Sequence, residues 1–128
     1  MGRHEEHPVG EELYSLYMKG MDLLEHGDFE QATVPLQKAA RLAPEKSSIR
    51  EALGRAYFRS RRYPEAAEEF EAVVERYPVN DYAHFCLGRA LTLSGQRGRA
   101  RRHLAIAATL RPERGDYRLY RERLRAAS

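Results

Sequence analysis

The chain has 128 residues, 42% hydrophobic and 32% charged with a net charge of +3, a composition that suits one compact, well-solvated helical domain and excludes general disorder. No run approaches the roughly 18–20 apolar residues of a membrane span, and the start MGRHEEHPVG lacks a secretory apolar core and puts Glu6 where a myristoylation signal needs Ser or Thr. The single cysteine, Cys86, excludes an internal disulfide, so a cytoplasmic location is expected.

In chain order, residues 1–12 read as an N-terminal tail. It carries HEEH at His4–His7, one residue short of the HExxH zinc pattern, and is expected to be a solvated end without metal. Paired helices follow at 12–26 and 30–42, 48–60 and 64–76, and 82–94 and 98–110, with a last helix at about 116–126. Gly27-Asp28-Phe29, Arg61-Arg62-Tyr63-Pro64 and Gly95-Gln96 form the turns within pairs, and Pro64 suits a first helical position. Pro35 falls inside the second helix and is expected to kink its first turns without abolishing it. Glu65, Glu68, Glu69, Glu71 and Glu75 read as a solvated outer face.

A fixed period runs through these pairs. Gly20, Gly54 and Gly88 lie 34 residues apart, as do Ala32, Ala66 and Ala100, and Pro44, Pro78 and Pro112. Leu23, Tyr57 and Leu91 share a phase, and Leu36, Phe70 and Leu104 share another. An interior helix glycine costs about 1 kcal/mol relative to alanine, so a recurrent one implies close packing. The expected arrangement sets the glycine of each first helix against the alanine of its second, with the larger columns filling the space beside the crossing. The prolines end the second helices.

At these residues the sequence resembles the tetratricopeptide repeat family, including its small bacterial members. Leu53, Gly54, Tyr57, Ala66, Phe70 and Pro78 match the family pattern in the second repeat, and Leu87, Gly88, Ala100, Ala107 and Pro112 in the third. The first repeat matches at Gly20, Ala32, Ala39 and Pro44, with Lys19 where leucine is usual. The family's first-helix tryptophan is replaced by Leu16, Arg50 and His84. The resemblance implies an all-α solenoid with repeats at 13–46, 47–80 and 81–114 and a capping helix at 115–128. It also implies a right-handed superhelix whose first helices line a concave groove, and a role as a protein-interaction scaffold or adaptor.

In that geometry the groove presents Tyr14, Tyr17, Met21, Arg55, Phe58, Tyr82, Phe85 and Arg89, an aromatic surface with arginines of the kind enriched at binding hot spots. It suits an apolar or aromatic peptide or helix carrying an acidic group. The carboxylate clamp of co-chaperone relatives is not expected, because Tyr17, Met21, Ala52, Tyr82 and Cys86 stand at its positions. Plainer readings pair Arg55 with Glu51, stack Arg89 on Phe85, or cover Tyr14 and Tyr17 with the N-terminal segment.

Charge adds a second candidate surface. Residues 1–94 hold 12 Lys and Arg against 16 Asp and Glu, whereas residues 95–128 hold 10 against 3. Arg114, Arg118, Arg121 and Arg125 form one stripe on the last helix, beside an apolar stripe of Tyr117, Tyr120 and Leu124. A soluble end cap explains both stripes. The alternatives are binding of nucleic acid or another anionic surface, and self-association into a homo-oligomer. No catalytic constellation, cofactor motif or metal-ligand spacing is found: His26, His84 and His103 fall on separate elements, and Cys86 reads as a packed thiol. An enzyme is not expected.

Overall fold

The fold, obtained as a computed structural model, describes residues 3–127, with side chains from Gly10 to Ala127. Among the described residues it contains seven helices and no strand. These are α1 (Arg3–Glu25), α2 (Phe29–Leu42), α3 (Ser47–Arg59), α4 (Tyr63–Arg76), α5 (Asp81–Leu93), α6 (Arg97–Leu110) and α7 (Gly115–Ala126). No helix among them is long and apolar enough to cross a membrane.

Helix starts follow the hydrophobic periodicity to within one residue, except the first. There, α1 begins at Arg3, so most of the segment expected as a tail is helical. Pro8 and Gly10 argue locally for a break, but a helix already nucleated by the later turns extends without paying for a second nucleus. α2 likewise runs through Pro35 unbroken, with the proline ring buried.

The chain divides into two compact units, the first ending at Arg61 and the second starting at Arg62. In the first, α2 packs against both α1 and α3. Its core is Ala32, Leu36, Ala39, Ile49, Leu53 and Ala56, all at most 2% exposed. Gly20 explains the close approach of α1 to α2, since a Cβ added there would lie 2.5 Å or less from Leu36 side-chain carbons. Gln37 on α2 donates to the Tyr57 hydroxyl on α3 at 3.1 Å.

In the second unit α5 packs against α4 and α6, and α7 closes over α6 and α5. Phe70, Val73, Leu87, Leu91, Leu104 and Tyr117 form its core. A Cβ on Gly88 would come within 2.6 Å of the Leu104 side chain. Gly20 and Gly88 therefore face Leu36 and Leu104 of the second helices, where the alanine column was expected from the sequence. Alanines 32 and 100 are fully buried nonetheless.

The turns obey one rule. Gly27, Arg61 and Gly95, one period apart, have φ of 81°, 63° and 83°. After α1, Gly27 N–H donates to Leu24 O and Asp28 N–H to Leu23 O; after α5, Gly95 and Gln96 repeat this with Thr92 and Leu91. These bonds satisfy the last carbonyls of each first helix in a left-handed C-terminal turn. Arg61 makes the same turn with a side chain that disfavours it.

Candidate functional site

On α1, Tyr14, Tyr17 and Met21 are spaced by 3 and 4, so they share one side of the helix. Tyr14 is 67% exposed, and Tyr17 and Met21 are half-buried. The residues before Tyr14 continue the same helix back to Arg3. From α3, half-buried Arg55 brings Nη2 to 3.9 Å from Met21 Sδ, and Phe58 is half-buried one turn further on. The first unit thus carries aromatic, thioether and guanidinium groups together on one surface.

The second unit departs from expectation. Phe85 is only 7% exposed, because α7 lies over it. Its ring centroid is 4.6 Å from that of Tyr117 and 5.3 Å from that of Tyr120, the latter edge-on. Phe85 is therefore an anchor for the cap and not an open groove residue. The apolar stripe of α7 requires cover, and Phe85 supplies an aromatic surface for both of its tyrosines. Tyr117 is fully buried, and its hydroxyl donates to Asp81 Oδ2 at 2.6 Å. Burial and this bond to a carboxylate push the phenol above its ordinary range.

Arg89 remains half-buried with its guanidinium 4.6 Å from the Tyr120 centroid and 5.9 Å from that of Phe85. The stacking on Phe85 foreseen in the sequence is present, though Tyr120 holds the group more closely. Tyr82 is half-buried at the start of α5.

The basic end is partly paired from within. Arg114 forks onto Asp116 at 3.0 and 2.7 Å, and its guanidinium lies 4.3 Å from the Tyr117 centroid. That pairing holds the Asp116 carboxyl below its usual range. Arg118 donates to Pro112 O at 2.5 Å, and Arg125 lies 3.9 Å from Glu122. Arg121 is half-buried. Of the flanking arginines, Arg111 meets Glu113 and Asp81, and Arg99 meets Glu71. These contacts support the end-cap reading.

Two histidines that sequence spacing kept apart are brought together. His84 on α5 and His103 on α6 are 5% and 4% exposed, with their Nδ1 atoms 3.0 Å apart. His84 Nε2–H donates to Pro78 O at 2.8 Å, which leaves its Nδ1 as the acceptor of the His103 Nδ1–H. His103 Nε2 is buried without a hydrogen-bond partner. Burial first, then the neighbouring His84 and Arg102, lower the His103 pKa to about 4. The one sequence signal was His84 standing in the interior tryptophan column.

Among the described residues no group of three or more His, Cys, Asp or Glu side chains could hold a metal ion. The side chains of His4 and His7 lie outside the described residues. Cys86 is half-buried and forms no disulfide. The conspicuous chemistry is therefore aromatic and guanidinium surface, suited to recognition.

A comparison with curated proteins finds no match. Among solved structures, MamA from Desulfovibrio magneticus is 24% identical with a TM-score of 0.86, over 90% of this chain and 65% of that one. The second tetratricopeptide repeat domain of human RPAP3, solved with an HSP70 peptide, is 15% identical with a TM-score of 0.85, over 91% and 98%. The Yersinia enterocolitica type III secretion chaperone SycD, solved with a peptide of the translocator YopD, is 18% identical with a TM-score of 0.75, over 89% and 87%. These likenesses establish the all-α helical-repeat fold. The family model for the tetratricopeptide repeat matches residues 17–81 and 51–113, so the chain belongs to the tetratricopeptide repeat family.

Proposed function

We propose that this protein is an adaptor that docks a partner segment on the aromatic and arginine-bearing faces of its first helices. The observation that carries the reading is Tyr14, a 67% exposed aromatic set beside Tyr17 and Met21 on a helix that packs closely on Leu36 through Gly20. Exposed aromatics with a neighbouring arginine are the residue types that dominate binding energy when a partner covers them. Relatives solved with short peptides support a peptide-sized ligand.

The partner's preferred chemistry is apolar or aromatic with acidic character, matched to Arg55 and Arg89. A chaperone tail is not proposed, since Tyr17, Met21, Ala52, Tyr82 and Cys86 offer no clamp for its carboxylates. The lone thiol of Cys86 supports a cytosolic setting.

Site-specific photocrosslinking tests the reading. A benzophenone amino acid placed at Tyr14 or at Tyr82 is expected to capture one and the same protein in extracts of the native host. Placed at exposed Glu68 on α4, it is expected to capture none. Equal capture from all three positions, or from Glu68 alone, would refute the assignment. Capture of only a second copy of this chain would establish self-association instead.

A further inference from the structure

At the end of the second unit, where α5, α6 and α7 converge, lies a cavity of about 280 Å³. Leu93, Leu104, Tyr120, Leu124 and Ala127 contribute its carbon-rich lining. Thr92 also borders it, and its hydroxyl already donates to Gly88 O at 2.8 Å. Three arginines complete the lining: Arg89 from α5, Arg97 from α6 and Arg123 from α7. No acidic residue lines it.

Size and charge select the occupant. Small-molecule sites usually run from roughly 300 to 1,000 Å³, so this cavity is sized for one large side chain and not for a cofactor. Arg89 and Arg123 both lie over the Tyr120 ring, with guanidinium carbons 4.6 and 5.4 Å from its centroid. Stacking restrains the exposed Arg123 guanidinium in an orientation suited to gripping a carboxylate by its N–H edge. Three like charges around an apolar hollow disfavour a basic segment and favour an apolar side chain flanked by acidic ones.

We propose that this cavity is a specificity subsite, taking a leucine, methionine or phenylalanine side chain of a partner segment whose flanking Asp or Glu residues meet Arg89, Arg97 and Arg123. It rests on the peptide-docking reading and adds to it the chemistry of one recognised position. Arg97 and Arg123 were not among the groove residues legible in the sequence.

The test is a backbone-amide NMR titration of the full chain with the blocked peptide Glu-Glu-Leu-Phe-Glu-Glu. The controls are Gln-Gln-Leu-Phe-Gln-Gln and Glu-Glu-Ala-Ala-Glu-Glu. The acidic apolar peptide is expected to move the amides of Thr92, Leu93, Arg97, Leu124 and Ala127, and to bind about tenfold or more tightly than either control. Arg97→Gln with Arg123→Gln is expected to erase that advantage, with helicity by circular dichroism unchanged. Equal binding of the glutamine peptide overturns the proposal, as does a full advantage in the double variant. Shifts confined to α1 and α3 overturn the subsite while leaving the broader docking reading intact. No shift up to millimolar peptide also overturns the subsite, and the docking reading then falls only if the photocrosslinks fail as well. Shifts at these amides on raising protein concentration alone would assign the cavity to a second copy, and overturn it too.

Discussion

His84 and His103 stack with ring centroids 5.2 Å apart, joined by a single hydrogen bond between their Nδ1 atoms. The arrangement suits a neutral His103: a proton added to it would sit at Nε2, which has no hydrogen-bond partner. The fold therefore binds that proton less well than the unfolded chain, whose histidine titrates near 6.5.

The sign of the pH dependence follows. With a folded pKa of about 4, the His103 contribution to stability is complete above the unfolded value and is lost as pH falls from about 6.5 toward 4. At most about 3 kcal/mol is at stake. Urea midpoints measured across this window should fall more steeply for the native chain than for His103→Leu. Parallel curves for the two proteins would show that His103 does not titrate this way.

Gly88 and Gly98 should respond oppositely to alanine. A Cβ on Gly88 meets Leu104 side-chain carbons at 2.6 Å and the Leu104 backbone nitrogen at 3.3 Å, so part of the overlap is with backbone. Overpacking outweighs the gain in helix propensity, and Gly88→Ala should cost about 1–2 kcal/mol. Gly98, in the first turn of α6, has nothing within 4 Å, and Gly98→Ala should gain about 0.5 kcal/mol. Thermal melts of the two variants check both directions.

Arg61 holds at φ 63° a position that glycine occupies one period before and after it. Relief of the Cβ clash exceeds the added chain entropy of glycine, so Arg61→Gly should stabilise the protein by about 0.5–1 kcal/mol. Denaturant unfolding with an unchanged m-value is the check, and a loss of stability would show that the arginine side chain has a role of its own there.

These sites show what the sequence made legible. Six helix starts could be read from periodicity because apolar phase, turn residues and terminal prolines agree along the chain. The start of α1 could not, because Pro8 and Gly10 are local signals while helix extension is cooperative. The glycine column announced close packing but not its partner: which column faces it depends on the interhelical crossing, which spacing within one helix does not encode. Similarly, Phe85 and Arg89 read as open because the sequence shows an amphipathic last helix without showing what it covers. The tyrosines of α7 settle that by landing on Phe85. His84 and His103 meet only because α5 and α6 form a hairpin, so their pairing is a product of the packing.

The docking role is tested most directly by the pair Arg55→Glu and Arg89→Glu, one substitution on each unit. Recovery of the photocrosslinked partner would be quantified against the native chain, with circular dichroism and a thermal melt confirming that the helices persist. Each single variant should weaken recovery, and the double variant should reduce it about tenfold or more. Recovery by a folded double variant equal to that of the native chain would contradict docking on these faces.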